Sequence, residues 1–212
     1  MCGGSSTTSK QVNTLNNLNL PNGDIFPLNE YRQALLIADT DNLPNALNDI
    51  MAHMCMLIRW RVPLSQIWLL IDSSSDSRGR LDVLTNMRIG GQQINIVTNN
   101  GHNFETKYNE TISNIVSQAS GRSSSLYVVL SGHGGQIRDN GNDETDGYDE
   151  IIAPAGIYAR DDILYNGLHL LTQNYNVLAL ADTCSSGSMF DIDRKGLSAD
   201  IVSIGACADQ EV

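Results

Sequence analysis

Apolar residues fall into two patterns along this 212-residue chain: short unbroken runs, and longer stretches in which they recur every three or four positions. The unbroken runs occupy residues 32–39 (RQALLIAD), 66–71, 94–98, 125–131 (SLYVVLS), 176–182 (NVLALAD) and 201–206 (IVSIGA). Runs of this length between polar or glycine-containing segments predict strands covered on both faces. After Pro44, suited to a first helical turn, Ala46, Leu47, Ile50, Met51, Met54, Leu57 and Ile58 recur at helical spacing. Residues 103–119 predict a second helix with Ile112, Ile115 and Val116 on one face. Strands alternating with helices predict an α/β fold built on a parallel sheet. A carboxylate-rich segment, DNGNDETDGYDEIIAP, reads as a loop between two of the strands. Residues 1–29, rich in Asn, Ser, Thr and Gly, are expected to form a flexible leader, with one folded domain over 30–212.

Charge narrows the partners. Thirteen Lys and Arg against 24 Asp and Glu leave a net charge of −11, the wrong sign for gripping nucleic acid or an anionic bilayer. Basic peptides and divalent cations are the better expectation. No apolar stretch has the length of a membrane span, and the four cysteines have no zinc-like spacing, so the expected setting is a reducing cytoplasm.

Two polar motifs carry the chemistry. The run 125–131 leads into Gly132-His133-Gly134-Gly135, and the run 176–182 leads into Thr183-Cys184-Ser185-Ser186-Gly187. Ligands of open parallel sheets bind beyond the carboxyl ends of the strands, so neighbouring strands would set His133 and Cys184 on one rim. A thiol and an imidazole there can flank one peptide bond as nucleophile and proton carrier. The adjacent glycines let a substrate backbone approach, and the N–H groups of Gly134 and Cys184 are the expected oxyanion donors.

The blocks ALLIAD, LPNALND, LYVVLSGHGGQ, DGYDEIIAP, LALADTCSSGSMFDI and SIGACADQ together resemble the metacaspases, caspase-like cysteine peptidases. That resemblance runs from about residue 33 to the last residue. It implies a caspase-like α/β/α sandwich with a mostly parallel central sheet, Cys184 as nucleophile, His133 as general acid and base, and cleavage after Arg or Lys. It also implies that Asp49 and Asp182 line the primary specificity pocket, where two carboxylates would hold a guanidinium or ammonium. Asp149, Asp161, Asp162 and Asp191 match the family's calcium-binding aspartates, implying Ca²⁺ as activator. The acidic loop itself is not an EF-hand, since Glu144 stands where that loop requires Gly. Thr183 and Ser185 depart from the family's usual DSCHSG-type segment, replacements expected to be tolerated.

Arg194-Lys195, the only basic dipeptide in the chain, resembles the family's processing region and is the expected self-cleavage site. The sequence ends at Val212, where the family usually continues through a further strand and helices, so the expectation is a minimal relative, a fragment, or a chain that borrows the missing sheet edge from a partner chain. Cys207 is expected to help wall the cleft, Cys55 to be a core residue, and His53, His102 and His169 to be ordinary histidines. Two rival readings remain open: a legumain-like or other caspase-clan peptidase, and an inactive caspase-like scaffold that binds peptides.

Overall fold

The computed structural model describes residues 31–40, 43, 45–72, 78–139, 147–192 and 196–208. Its nine strands are β1 (Tyr31–Ala38), β2 (Ile67–Asp72), β3 (Asn95–Asn99), β4 (Ser124–Ser131), β5 (Gly134–Arg138), β6 (Tyr148–Ile152), β7 (Ala159–Arg160), β8 (Tyr175–Asp182) and β9 (Asp200–Gly205). Six of them form one sheet in the order β3-β2-β1-β4-β8-β9, with every pairing parallel. The six apolar runs are these six strands. The strand order reverses between β1 and β4, the kind of switch point beside which α/β proteins build their sites.

Helices α1 (Ala46–Arg59), α2 (Arg78–Asn86), α3 (Phe104–Ala119) and α4 (Asp161–Leu168) supply the covering layers. One face packs Leu36, Leu69 and Val129 beneath Leu47, Ile50, Met54 and Leu57 of α1 and Leu84 of α2. The other packs Leu35, Leu70 and Val128 against Phe104, Tyr108, Ile112 and Ile115 of α3 and Leu164 and Leu168 of α4. Each such side chain contributes about 1.5–3 kcal/mol when removed from water. Tyr108 ties α3 to α4: its hydroxyl donates to the carbonyl of Leu164 at 3.1 Å, and its ring occupies the notch left by Gly167.

Two expectations are corrected. The acidic segment was expected to be loop throughout, yet Tyr148–Ile152 is a strand, paired antiparallel with β5 and β7 in a small second sheet. Cover on both faces holds for β1, β2 and β4 but not for the rest: β3 fully buries only Asn99, β8 buries alternate residues, and β9 buries none fully. Leu178, Val202 and Ile204 are 36%, 60% and 53% exposed on the face that α1 covers over the inner strands. The physical reason is the extent of the helical layer, which stops short of this edge. A groove of about 450 Å³ lies there, lined by Tyr127, Leu178 and Val202 among others. The expected leader lies outside the described residues.

Candidate active site

β4 and β8 are neighbours, and their last residues, Ser131 and Asp182, are register partners. His133 and Cys184 each lie two positions beyond that pair, so both leave the same rim. The two segments touch. Gly132 donates its N–H to the carbonyl of Asp182 at 3.3 Å, and a Cβ on Gly134 would collide with the carbonyl oxygen of Cys184 and the side chain of Thr183. Only glycine permits that approach. His133 is exposed, while Cys184 is a half-buried free thiol. Ser185 turns the chain immediately after the thiol with φ +48°, a left-handed conformation that costs a non-glycine residue about 1–2 kcal/mol. Strain of this kind is concentrated at functional turns.

The expected pocket carboxylates converge from two elements. Asp49 on α1 accepts a hydrogen bond from the Ser131 hydroxyl at 3.3 Å, and Asp182 stands beside Ser131 across the β4–β8 pairing. One turn along α1, His53 Nδ1 lies 2.9 Å from the Tyr127 hydroxyl. Burial lowers the pKa of His53, opposed by the negative charges of Asp182 and Asp49. The imidazole is therefore kept toward its neutral form beside two acids. His53 was read as an ordinary histidine; its relation to Tyr127 crosses from helix to strand and has no local sequence signal.

Of the four aspartates expected to hold calcium, three come together. Carboxylate oxygens of Asp161 and Asp162, in the first turn of α4, and of Asp191 lie within 4.8 Å of one another. Asp161 is fully buried and accepts the N–H groups of Glu150 at 3.0 Å and Asp162 at 2.8 Å. Burial first, then the charge of Asp191, pushes its pKa up to about 8 despite those donors. Gathered oxygen donors that resist sharing negative charge fit a hard divalent cation. Asp149 stands outside the cluster: its carboxylate is ion-paired with Arg160 on β7. Glu150, absent from the expected set, is buried next to Asp161 and accepts from Gln136 at 2.9 Å and Ser188 at 2.5 Å.

The segment after β9 walls the turn that carries Cys184. Cys207 donates its N–H to the Ser186 hydroxyl at 3.2 Å, and its thiol donates to the carbonyl of Thr183 at 3.3 Å. Cys55 is half-buried instead of fully in the core, because it lies at the margin of the α1 face, where burial still pushes its thiol up. Arg194 and Lys195 lie outside the described residues. Among the described residues no helix is long and apolar enough to cross a membrane. Sequence reasoning also missed Asp39, the residue after β1, whose Oδ2 accepts the backbone N–H of His133 at 3.3 Å. An acid ending an apolar strand at the rim was the available signal.

Comparison with known proteins meets this geometry. The chain is 40% identical over 73 residues to Metacaspase-1 of Pyricularia oryzae, covering 32% of this chain and 18% of that one. It is 38% identical over 72 residues to Metacaspase-1A of Neurospora crassa, covering 32% and 16%, and 29% identical over 107 residues to Metacaspase-1 of Plasmodium falciparum, covering 41% and 18%. The matched segments thus span less than a fifth of those relatives. A family model described as "Metacaspase, peptidase C14 domain" matches residues 82–193, more than half the chain and inclusive of both rim motifs, so the chain belongs to the metacaspase family.

Proposed function

We propose that the chain is a cysteine endopeptidase that cleaves after Arg or Lys. The reading rests on one observation above all, the paired ends of β4 and β8 that put the His133 and Cys184 segments in contact. The Cys184 thiolate attacks the scissile carbonyl, the N–H groups of Gly134 and Cys184 receive the developing oxyanion, and His133 delivers a proton to the leaving amine. Asp49 and Asp182 hold the basic side chain on the side of the rim that faces α1. A Ca²⁺ ion held by Asp161, Asp162 and Asp191 would relieve repulsion among those acids and tie the segment after Cys184 to α4. Self-cleavage after Arg194 or Lys195 belongs to the same reading, as does a reducing cytoplasmic setting for a free nucleophilic thiol. The open face of β8 and β9 supports a partner chain at that edge.

Fluorogenic peptides ending in Arg, Lys, Asp or Asn, assayed with and without calcium, test this directly. Arg and Lys peptides should be cleaved, calcium should raise the rate, and Cys184→Ala should abolish turnover. Preference for Asn would favour a legumain-like peptidase, and no cleavage of any peptide would favour the scaffold.

A further inference from the structure

Asp39 is a carboxylate only 1% exposed, and it touches three consecutive residues of the loop that carries the imidazole. Its N–H donates to the carbonyl of Ser131 at 3.0 Å. Its side chain fills the space above Gly132, where any Cβ would collide with it. Its Oδ2 accepts the N–H of His133 at 3.3 Å. The next residue fastens this clamp to the neighbouring strand, because Thr40 donates its N–H and its hydroxyl to Asp72 Oδ1 at 3.0 and 2.5 Å. Asp72 ends β2 and is itself fully buried. A splint thus crosses the ends of β2, β1 and β4 and terminates on the main chain of His133.

We propose that Asp39 is a positioning residue for His133: it fixes the backbone from which the imidazole reaches the cleft, so proton delivery to the leaving group depends on it. The inference rests on the peptidase reading above. Flanking glycines leave the His133 segment with little conformational preference of its own, so an external anchor must set it. An N–H bonded to a carboxylate is a charge-assisted anchor, stronger than one bonded to a neutral acceptor. Being buried, Asp39 does not meet substrate. The proton that His133 takes from the Cys184 thiol to give the thiolate is the one it gives to the amine, as the sulfur–carbon bond forms and the carbon–nitrogen bond breaks; water then releases the acyl group from Cys184. An amine needs that proton in order to leave, whereas a nitrophenolate leaves without it. Displacement of the imidazole therefore penalises amide substrates far more than activated esters.

The test compares kcat/KM, which reports formation of the acyl-enzyme, on an arginine amide and on the p-nitrophenyl ester of the same acyl group, together with hydrogen exchange at the His133 amide. Asp39→Leu, nearly isosteric and without an acceptor, and Asp39→Ala should each lower the amide-to-ester ratio at least tenfold with KM unchanged, and should speed exchange at His133. Asp39→Asn, whose carboxamide oxygen still accepts the N–H, should keep the ratio within about threefold of wild type, a loss no larger than a neutral acceptor costs. A wild-type ratio in Asp39→Leu, equal losses on both substrates, or an Asp39→Asn enzyme as impaired as Asp39→Leu would overturn the proposal. If the apolar variants do not fold, Asp39→Asn and the wild-type protein decide: a shifted ratio in the first, or an unprotected His133 amide in the second, overturns it. A wild-type protein that hydrolyses neither substrate defeats the peptidase reading, and exchange at His133 then still judges the clamp.

Discussion

The inner and outer halves of the central sheet are built from equally apolar strands and are covered unequally. β1, β2 and β4 are packed between α1 and α2 on one face and α3 and α4 on the other. Among the described residues, β8 and β9 have chiefly the second of these layers, Leu180 alone reaching the first, and Leu178, Val202 and Ile204 face outward. An apolar run thus specifies a strand without specifying what will lie over it; that depends on how far the neighbouring helices reach. The proposed catalytic pair straddles the boundary. His133 leaves the sealed half, splinted by Asp39, and Cys184 leaves the strand whose outer face is open.

The largest effect should come from opening the sealed half. Leu69 is fully buried in β2, between its register partners Leu36 and Ile96. Leu69→Ala should cost about 3–5 kcal/mol, combining lost transfer energy with a residual cavity. Urea unfolding measures it, and a cost under about 1 kcal/mol would show this half to be as loosely covered as the outer one.

Calcium should act next in size, on the outer half. Asp191 follows the turn that carries Cys184 and meets Asp161 and Asp162 of α4, so a shared ion would bind the Cys184 segment to a helix of the core. At a calcium concentration one hundred times its Kd, the native state should gain about 2.7 kcal/mol. Asp161→Asn or Asp191→Asn should remove that gain, while Asp149→Asn should leave it, since Asp149 serves Arg160. Thermal unfolding with and without calcium reads all three variants, and retention of the gain in Asp191→Asn would dismantle the cluster.

Much of this arrangement was legible in the amino-acid order, for a definite reason. Strand runs and the two motifs that follow them are local features, and parallel topology converts their ends into a shared rim without further information. Contacts between distant segments were not legible. β6 is short and carries Asp149 and Glu150 within an acidic stretch, so its strand character emerges only through pairing with β5 and β7. That pairing hands Asp149 to Arg160 and brings Glu150 to Asp161. Asp39 reaches His133 across β1 and β4, which are far apart in sequence. The exposed face of β9 escaped for the converse reason: within IVSIGA the more apolar alternation, with Val202 and Ile204, is the one left exposed, and nothing in the run reveals a missing helix.

A smaller effect is expected at the seam between the halves, where His53 on α1 meets Tyr127 on β4 beside Asp49 and Asp182. Burial pushes the Tyr127 phenol up to about 12, so it stays protonated and shares a hydrogen bond with Nδ1 of His53, whose direction follows the imidazole tautomer. Because the folded pKa of His53 lies below its unfolded value of about 6.5, the unfolded chain binds more protons as pH falls. The stability tied to neutral His53 is therefore complete above about pH 6.5 and is lost as pH falls through the lower, folded pKa. Urea midpoints should decline more steeply between pH 7 and pH 5 in the wild type than in His53→Gln. Parallel declines would mean that the seam holds its imidazole no differently from solvent.

The smallest effect should come from the open face itself. Ile204 is 53% exposed on β9, the edge strand among the described residues, where Leu180 is its only register partner. Little of its surface leaves water on folding, and threonine keeps the β-branch that suits a strand, so Ile204→Thr should change stability by no more than about 0.5 kcal/mol. The same substitution at a covered position would bury a hydroxyl and cost about 1–3 kcal/mol. Unfolding of Ile204→Thr, repeated over a range of protein concentrations, therefore reports directly on cover. A negligible, concentration-independent change leaves β9 open. A cost near that of a covered position means that something packs on Ile204 in solution; if the cost also grows with protein concentration, the cover is a second copy of the chain, and the two halves of the sheet differ in who supplies their helices instead of in whether they have them.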